Sequence, residues 1–251
     1  MNLFLTSSLC FYKQPKIDPS NHMLQNLAAV LPLSLACLCI CSDPNSSEKA
    51  DYYAAELKAA FENEGYHFSS FSVLDARTEP DASELVRSAD LIILMGGHVP
   101  TQNAFFHRIH LKELLSDFIG TVIGISAGTM NSASTVYAQP EEDGEAVDPG
   151  YQRFLPGLGL TELMILPHYQ FYKDLFLDGL RVYEDITYPD SFGRRFYALP
   201  DGSYLFGLNG QQWLYGEAWL IENGILQQVL SVGQKQLIQN GRLFGEPSPI
   251  L

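Results

Sequence analysis

The chain has 251 residues, 46% of them hydrophobic and 18% charged, enough to bury a sizeable core within one domain. Fifteen Lys and Arg stand against 29 Asp and Glu, a formal charge of −14, and no stretch interleaves basic residues with aromatics, so neither nucleic acid nor an anionic membrane surface is an expected partner. The apolar run from Leu27 to Cys41 is broken by Pro32 and is too short for a bilayer span. The opening MNLFLTSS has no positive segment of the secretory kind, and the expected location is the cytoplasm.

From residue 1 to about 135, short apolar runs alternate with amphipathic stretches, which predicts βαβ units around a parallel sheet. Strands are expected at 3–6, 33–41, 67–73, 91–95 and 121–125. Within the second of these, Cys37, Cys39 and Cys41 alternate, so their side chains share one face. That is not the spacing of a zinc site or a disulfide framework, and they read as small buried hydrophobes.

The stretch SSEKADYYAAELKAAFENEG has capping serines, helical apolar spacing and a terminal glycine, Gly65, and predicts a helix. A second helix is expected at 101–118. Between them, the apolar Leu91-Ile-Ile-Leu run leads into Gly96-Gly97. That brings open backbone to the carboxyl edge of the sheet, where ligand sites in open α/β folds lie.

Residues 136–160 form a polar connection with an acidic cluster, EEDGE, at 141–145; a loop of that length is usually functional or disordered. A strand at 163–166 then ends at Pro167-His168. From about residue 196, short apolar runs and an Asn223-Gly224 turn predict an antiparallel β elaboration. The fold class is therefore α/β, a three-layer sandwich with a mostly parallel central sheet and a C-terminal antiparallel elaboration, in one domain over 1–251.

The sharpest chemical signal is Gly124-Ile125-Ser126-Ala127-Gly128, between the apolar run TVIGI and a plausible helix. This is the G-x-S-x-G elbow in its required strand–turn–helix setting, with Ser126 as nucleophile. The alternative is an ordinary βα turn with Ser126 as an N-cap. A serine hydroxyl needs a base. Of the six histidines only His98 and His168 follow predicted strands at the carboxyl edge. His168, next after the elbow, is the better candidate; His98 reads as lining the Gly96-Gly97 loop. No metal ligand set and no cofactor are expected.

These residues, with the GG loop, the VDP of the acidic stretch, GLGL and the Pro-His pair, closely resemble the dipeptidase E and cyanophycinase family of serine peptidases. The resemblance is strong over roughly 90–170. It implies a fold similar to the class I glutamine amidotransferases, with serine in place of their cysteine, and a Ser-Asp-His order. Aligning Asp148-Pro149 with the family's Asp-Pro pair puts the aspartate at Asp143, with Glu141, Glu142 and Glu145 as alternatives.

The resemblance also implies an acyl-enzyme on Ser126, an oxyanion hole from the N–H groups of Gly97 and Ala127, and dipeptides with N-terminal aspartate as substrates. Such a side chain calls for an arginine; Arg194, Arg195 and Arg153 are the candidates. Other acyl substrates (a β-aspartyl peptide, an amide, an ester) and a non-catalytic small-molecule binding role stay open. The expected partner is a small peptide, and a homodimer is compatible with the sequence.

Overall fold

The computed structural model describes residues 1–244. In chain order its first half runs β1 (Asn2–Thr6), α1 (Met23–Val30), β2 (Ser34–Ile40), α2 (Ser47–Asn63), β3 (His67–Leu74), α3 (Ala82–Ser88), β4 (Leu91–Leu94), α4 (Val99–Arg108), α5 (Leu111–Leu114), β5 (Thr121–Ile125) and α6 (Ala127–Asn131). The five strands lie side by side in the order β1-β5-β4-β2-β3, all parallel. Leu91, Ile92, Ile93 and Leu94 are all fully buried. A strand in the middle of a parallel sheet is covered on both faces, so it reads as an unbroken apolar run, and each such side chain contributes about 2 kcal/mol of burial.

The chain steps outward from β2 to β3 and then back through β4 to β5. With right-handed crossovers, α2 falls on one face and α3 to α5 on the other. α2 closes at Gly65, which takes a positive φ of 87°. The helix expected over 101–118 is instead two helices. His110 adopts a left-handed backbone (φ 54°) between α4 and α5 and turns the chain so that Leu111 is buried. Cys37, Cys39 and Cys41 are all buried and free.

The second half contains β6 (Thr135–Tyr137), β7 (Phe154–Pro156), β8 (Met164–Leu166), α7 (Tyr169–Tyr172), β9 (Phe176–Leu177), β10 (Leu180–Arg181) and β11 (Arg195–Ala198). β12 (Tyr204–Leu208), β13 (Gln211–Tyr215), β14 (Ala218–Glu222), β15 (Ile225–Leu230), β16 (Lys235–Gln239) and β17 (Arg242–Leu243) follow. The C-terminal strands divide between two sheets. β12, β13, β16 and β17 extend the main sheet antiparallel from β1, making nine strands, while β15-β14-β11-β8 form a second sheet over a separate apolar cluster.

Asn223 and Gly224 both have positive φ between β14 and β15, as a two-residue hairpin turn requires. One pairing in the second sheet is parallel: Ala198 of β11 lies beside Leu166 of β8. The chain therefore leaves both strands at the same edge. No helix among the described residues is long and apolar enough to cross a membrane.

Candidate active site

Ser126 follows the last residue of β5, and its backbone is strained, with φ 52° and ψ −112°. Outside glycine such a conformation costs on the order of 1–3 kcal/mol and persists only where the surroundings over-determine it. Here they do: the Ser126 N–H donates to the carbonyl of Thr6 at 3.1 Å, and the Thr129 hydroxyl donates to the same oxygen at 2.7 Å.

The two glycines of the motif have packing reasons. A Cβ on Gly124 would lie 2.9 Å from the Leu5 side chain and from the Thr129 nitrogen, and one on Gly128 would overlap the Leu94 carbonyl. α6 can start directly behind the serine only because both positions lack a side chain. Gly128→Ala is expected to cost about 3 kcal/mol, read as a fall of about 6–12 °C in thermal midpoint.

β1 also organises the second part of the site. Ser7, the residue after Thr6, is fully buried. Its hydroxyl accepts the N–H of His168 at 2.6 Å and donates to Asp201 Oδ1 at 2.9 Å. The imidazole Nδ1 of His168 meets Asp201 Oδ1 at 2.8 Å. Both residues sit just past the ends of the parallel pair β8 and β11, held together by the Leu199 N–H on the Leu166 carbonyl at 2.8 Å.

With Nδ1–H donated to Asp201, the other ring nitrogen of His168, Nε2, is the one left to accept a proton. Burial works against the Asp201 charge, but His168, Ser7 and Gln170 outweigh it and hold the carboxyl below its ordinary range.

Gly96 packs beside Ser126, its ideal Cβ position 3.3 Å from Ser126 Cβ. Gly97 has φ 149°, and a side chain there would collide with Ser42. Ala127, as the first residue of α6, has no intrahelical acceptor for its N–H. His98 is not beside His168's carboxylate. It forms a second pair, Nε2 to Glu145 Oε1 and Nδ1 to Thr101 Oγ1, both 2.7 Å.

His98, Glu142 and Glu145 come close enough to share a cation. However, Glu145 already spends Oε1 on His98 and Oε2 on the N–H groups of Glu141 and Glu142, so protein donors satisfy it.

The residue joined to His168 is Asp201, and Asp143 stands elsewhere. Asp143 is exposed, in the turn between Glu142 and Gly144. That turn is fastened by the Gly144 and Ala146 N–H groups to Asp178.

The three arginines have other partners. Arg153 holds Asp190 at 2.9 Å, and Arg194 stacks over the Phe154 ring at 4.1 Å. Arg195 pairs with Glu222 at 2.7 Å at the start of β11, about 10 Å along the strand from its carboxyl end. A cavity of about 330 Å³, lined by Arg194, Arg195, Arg242, Glu162 and Glu222, opens there, at the amino end of β8 and β11. Sequence reasoning missed Ser7 and Asp201. The only local hint of Asp201 is its Pro-Asp-Gly turn after a strand.

Known structures share this architecture. A peptidase from an acI-B1 Actinobacterium aligns with a TM-score of 0.61 and 16% identity, covering 94% of this chain and 96% of that one. A protein named for peptidase E from Listeria monocytogenes EGD-e aligns with a TM-score of 0.56 and 19% identity, covering 91% and 98%. No curated protein matches the sequence. The sequence model of peptidase family S51 matches residues 4–213, most of the chain and the whole of the Ser126, His168 and Asp201 arrangement, and the chain belongs to that family.

Proposed function

We propose that the protein is a serine peptidase that hydrolyses small peptides through an acyl-enzyme on Ser126, with His168 as base and Asp201 as the carboxylate that orients it. The observation that carries this reading is the run of hydrogen bonds from the end of β1. Thr6 fixes the elbow and Ser7 fixes the His168–Asp201 pair, so adjacent residues of one buried strand end govern both halves of the machinery.

His168 Nε2 takes the Ser126 proton as Oγ attacks the scissile carbonyl, and the imidazolium is stabilised by Asp201. The N–H groups of Gly97 and Ala127 face the oxyanion, a contribution of about 3 kcal/mol per donor in such sites. His168 then protonates the leaving amine. It next draws a proton from the water that hydrolyses the ester, returning that proton to Ser126.

Dipeptides with N-terminal aspartate are the substrates that the sequence resemblance implies. The four free cysteines accord with a reducing, cytoplasmic setting.

The test is a fluorophosphonate probe with peptide mapping, run beside a panel of Asp-Xaa dipeptides, a β-aspartyl dipeptide and a p-nitrophenyl ester. Labelling confined to Ser126, together with turnover of the Asp-Xaa members, is the expected result. Turnover of the β-aspartyl member or the ester alone would keep the nucleophile and replace the substrate class. A folded protein that neither labels nor turns over any member would sink the reading.

A further inference from the structure

Three buried amide side chains lie beneath the loop that carries Gly96 and Gly97, and no step of the mechanism uses them. Gln102 and Asn131 are fully buried and Asn103 nearly so. Gln102, in the first turn of α4, donates from Nε2 to the Met95 carbonyl at 2.6 Å, immediately before Gly96. Asn131, the last residue of α6, donates from Nδ2 to the Val99 carbonyl at 3.1 Å, two residues past Gly97, and to Gln102 Oε1 at 3.0 Å. Asn103 in turn donates to Asn131 Oδ1 and to the Pro156 carbonyl, both at 2.9 Å.

These contacts make one network, in which both amide hydrogens of Asn131 and of Asn103 are used. They also fix how each amide is turned. Reversing Gln102 would set its oxygen against the Met95 carbonyl and its nitrogen against the Asn131 nitrogen.

Buried amides cost free energy unless they are partnered, and apolar side chains could fill the same space without that requirement. What the network adds is placement. Two adjacent glycines leave the backbone between Met95 and His98 many conformations, and only some of them turn the Gly97 N–H toward an oxyanion. Here the carbonyls on either side of the pair, those of Met95 and Val99, are both pinned. The other oxyanion donor, Ala127, opens α6, and Asn131 closes it about 6 Å further along the axis. The short helix that presents one donor therefore grips the loop that presents the other.

Resting on the Ser126 reading, we infer that Gln102 and Asn131 are positioning residues for the oxyanion hole: they hold the Gly97 N–H in register with that of Ala127 without touching the substrate.

The experiment measures kcat and KM for the best dipeptide of the panel and for the same dipeptide with sulfur in place of the scissile carbonyl oxygen, using wild type and Gln102→Met. Methionine keeps the length of glutamine but cannot donate to Met95. Sulfur accepts hydrogen bonds more weakly than oxygen, so the thio substrate draws less on the oxyanion donors. Wild type is expected to favour the oxygen substrate by about 100-fold. Gln102→Met should lower kcat on that substrate about 30-fold with KM within about twofold, and lower kcat on the thio substrate by about threefold at most, so that the preference falls about tenfold. Thermal midpoints check that the proteins are folded at the assay temperature. Gln102→Ala, whose vacated polar space can admit a water, replaces the methionine variant if that one does not fold.

If the variant slowed both substrates equally, or slowed neither, the network would serve packing alone and the proposal would fail. A wild type indifferent to the sulfur would overturn the proposal and leave Ser126-dependent turnover standing. Absence of any Ser126-dependent turnover would remove the reading beneath it, and the proposal with it.

Discussion

Ser126→Ala is expected to lower kcat by about 10⁵-fold or more while binding of substrate persists, because a triad that has lost its nucleophile retains only the oxyanion donors and the binding pocket. The thermal midpoint should move by no more than about 2 °C, since alanine is strained in the same backbone conformation as serine. Ser126→Gly separates catalysis from stability. It is equally inactive, but at φ 52° and ψ −112° glycine removes the strain. Relief of about 1–3 kcal/mol, less about 0.5–1 kcal/mol for the greater freedom of glycine in the unfolded chain, leaves a gain of about 1 kcal/mol. That is read as a rise of about 2–4 °C. A glycine variant less stable than wild type would show that the strain is not stored at this residue.

That strain explains why the elbow was legible in sequence when the carboxylate paired with His168 was not. The elbow is local: a buried strand, two glycines that leave room for α6 and a serine between them all fall within eight residues, 121–128. The central strands were legible for a similar reason, because each is an apolar run covered on both faces. His110 shows the opposite case, since nothing in the 101–118 pattern signals a left-handed residue, and the break between α4 and α5 is decided by burial of Leu111.

The carboxylate depends on tertiary pairing. Asp201 reaches His168 only because β11 lies parallel to β8, whereas the sequence reads the segment from about residue 196 onward as an antiparallel elaboration. The same pairing sends Arg195 to the far end of the strand, away from the site that an acidic side chain would occupy. An aspartate chosen by its distance from an Asp-Pro pair could not register this, because Asp143 and the VDP sequence lie on a turn whose contacts run to Asp178.

Asp201→Asn should therefore reduce kcat by about 10³-fold, whereas Asp143→Ala should leave it within about twofold. A carboxamide can offer Nδ2–H to His168 Nδ1 and so favours the tautomer with its proton on Nε2, which cannot accept the serine proton. The loss is put below the roughly 10⁴-fold of a fully buried aspartate, because the Asp201 side chain is 32% exposed and water can partly replace it. The pH dependence carries the same signature. A carboxyl whose folded pKa is lowered contributes stability that is present above its unfolded value, about 3.9, and that is lost as pH falls through the lower folded value. Wild type should thus lose the pair's contribution only below about pH 4, and the asparagine variant should show a smaller drop in thermal midpoint across that acid range. Asp201 stays ionised throughout the neutral region, so it does not set the activity profile there. If Asp143→Ala instead abolished turnover while Asp201→Asn left it intact, the orienting role would pass to the acidic loop, and the His168–Asp201 bond would be a structural tie between β8 and β11.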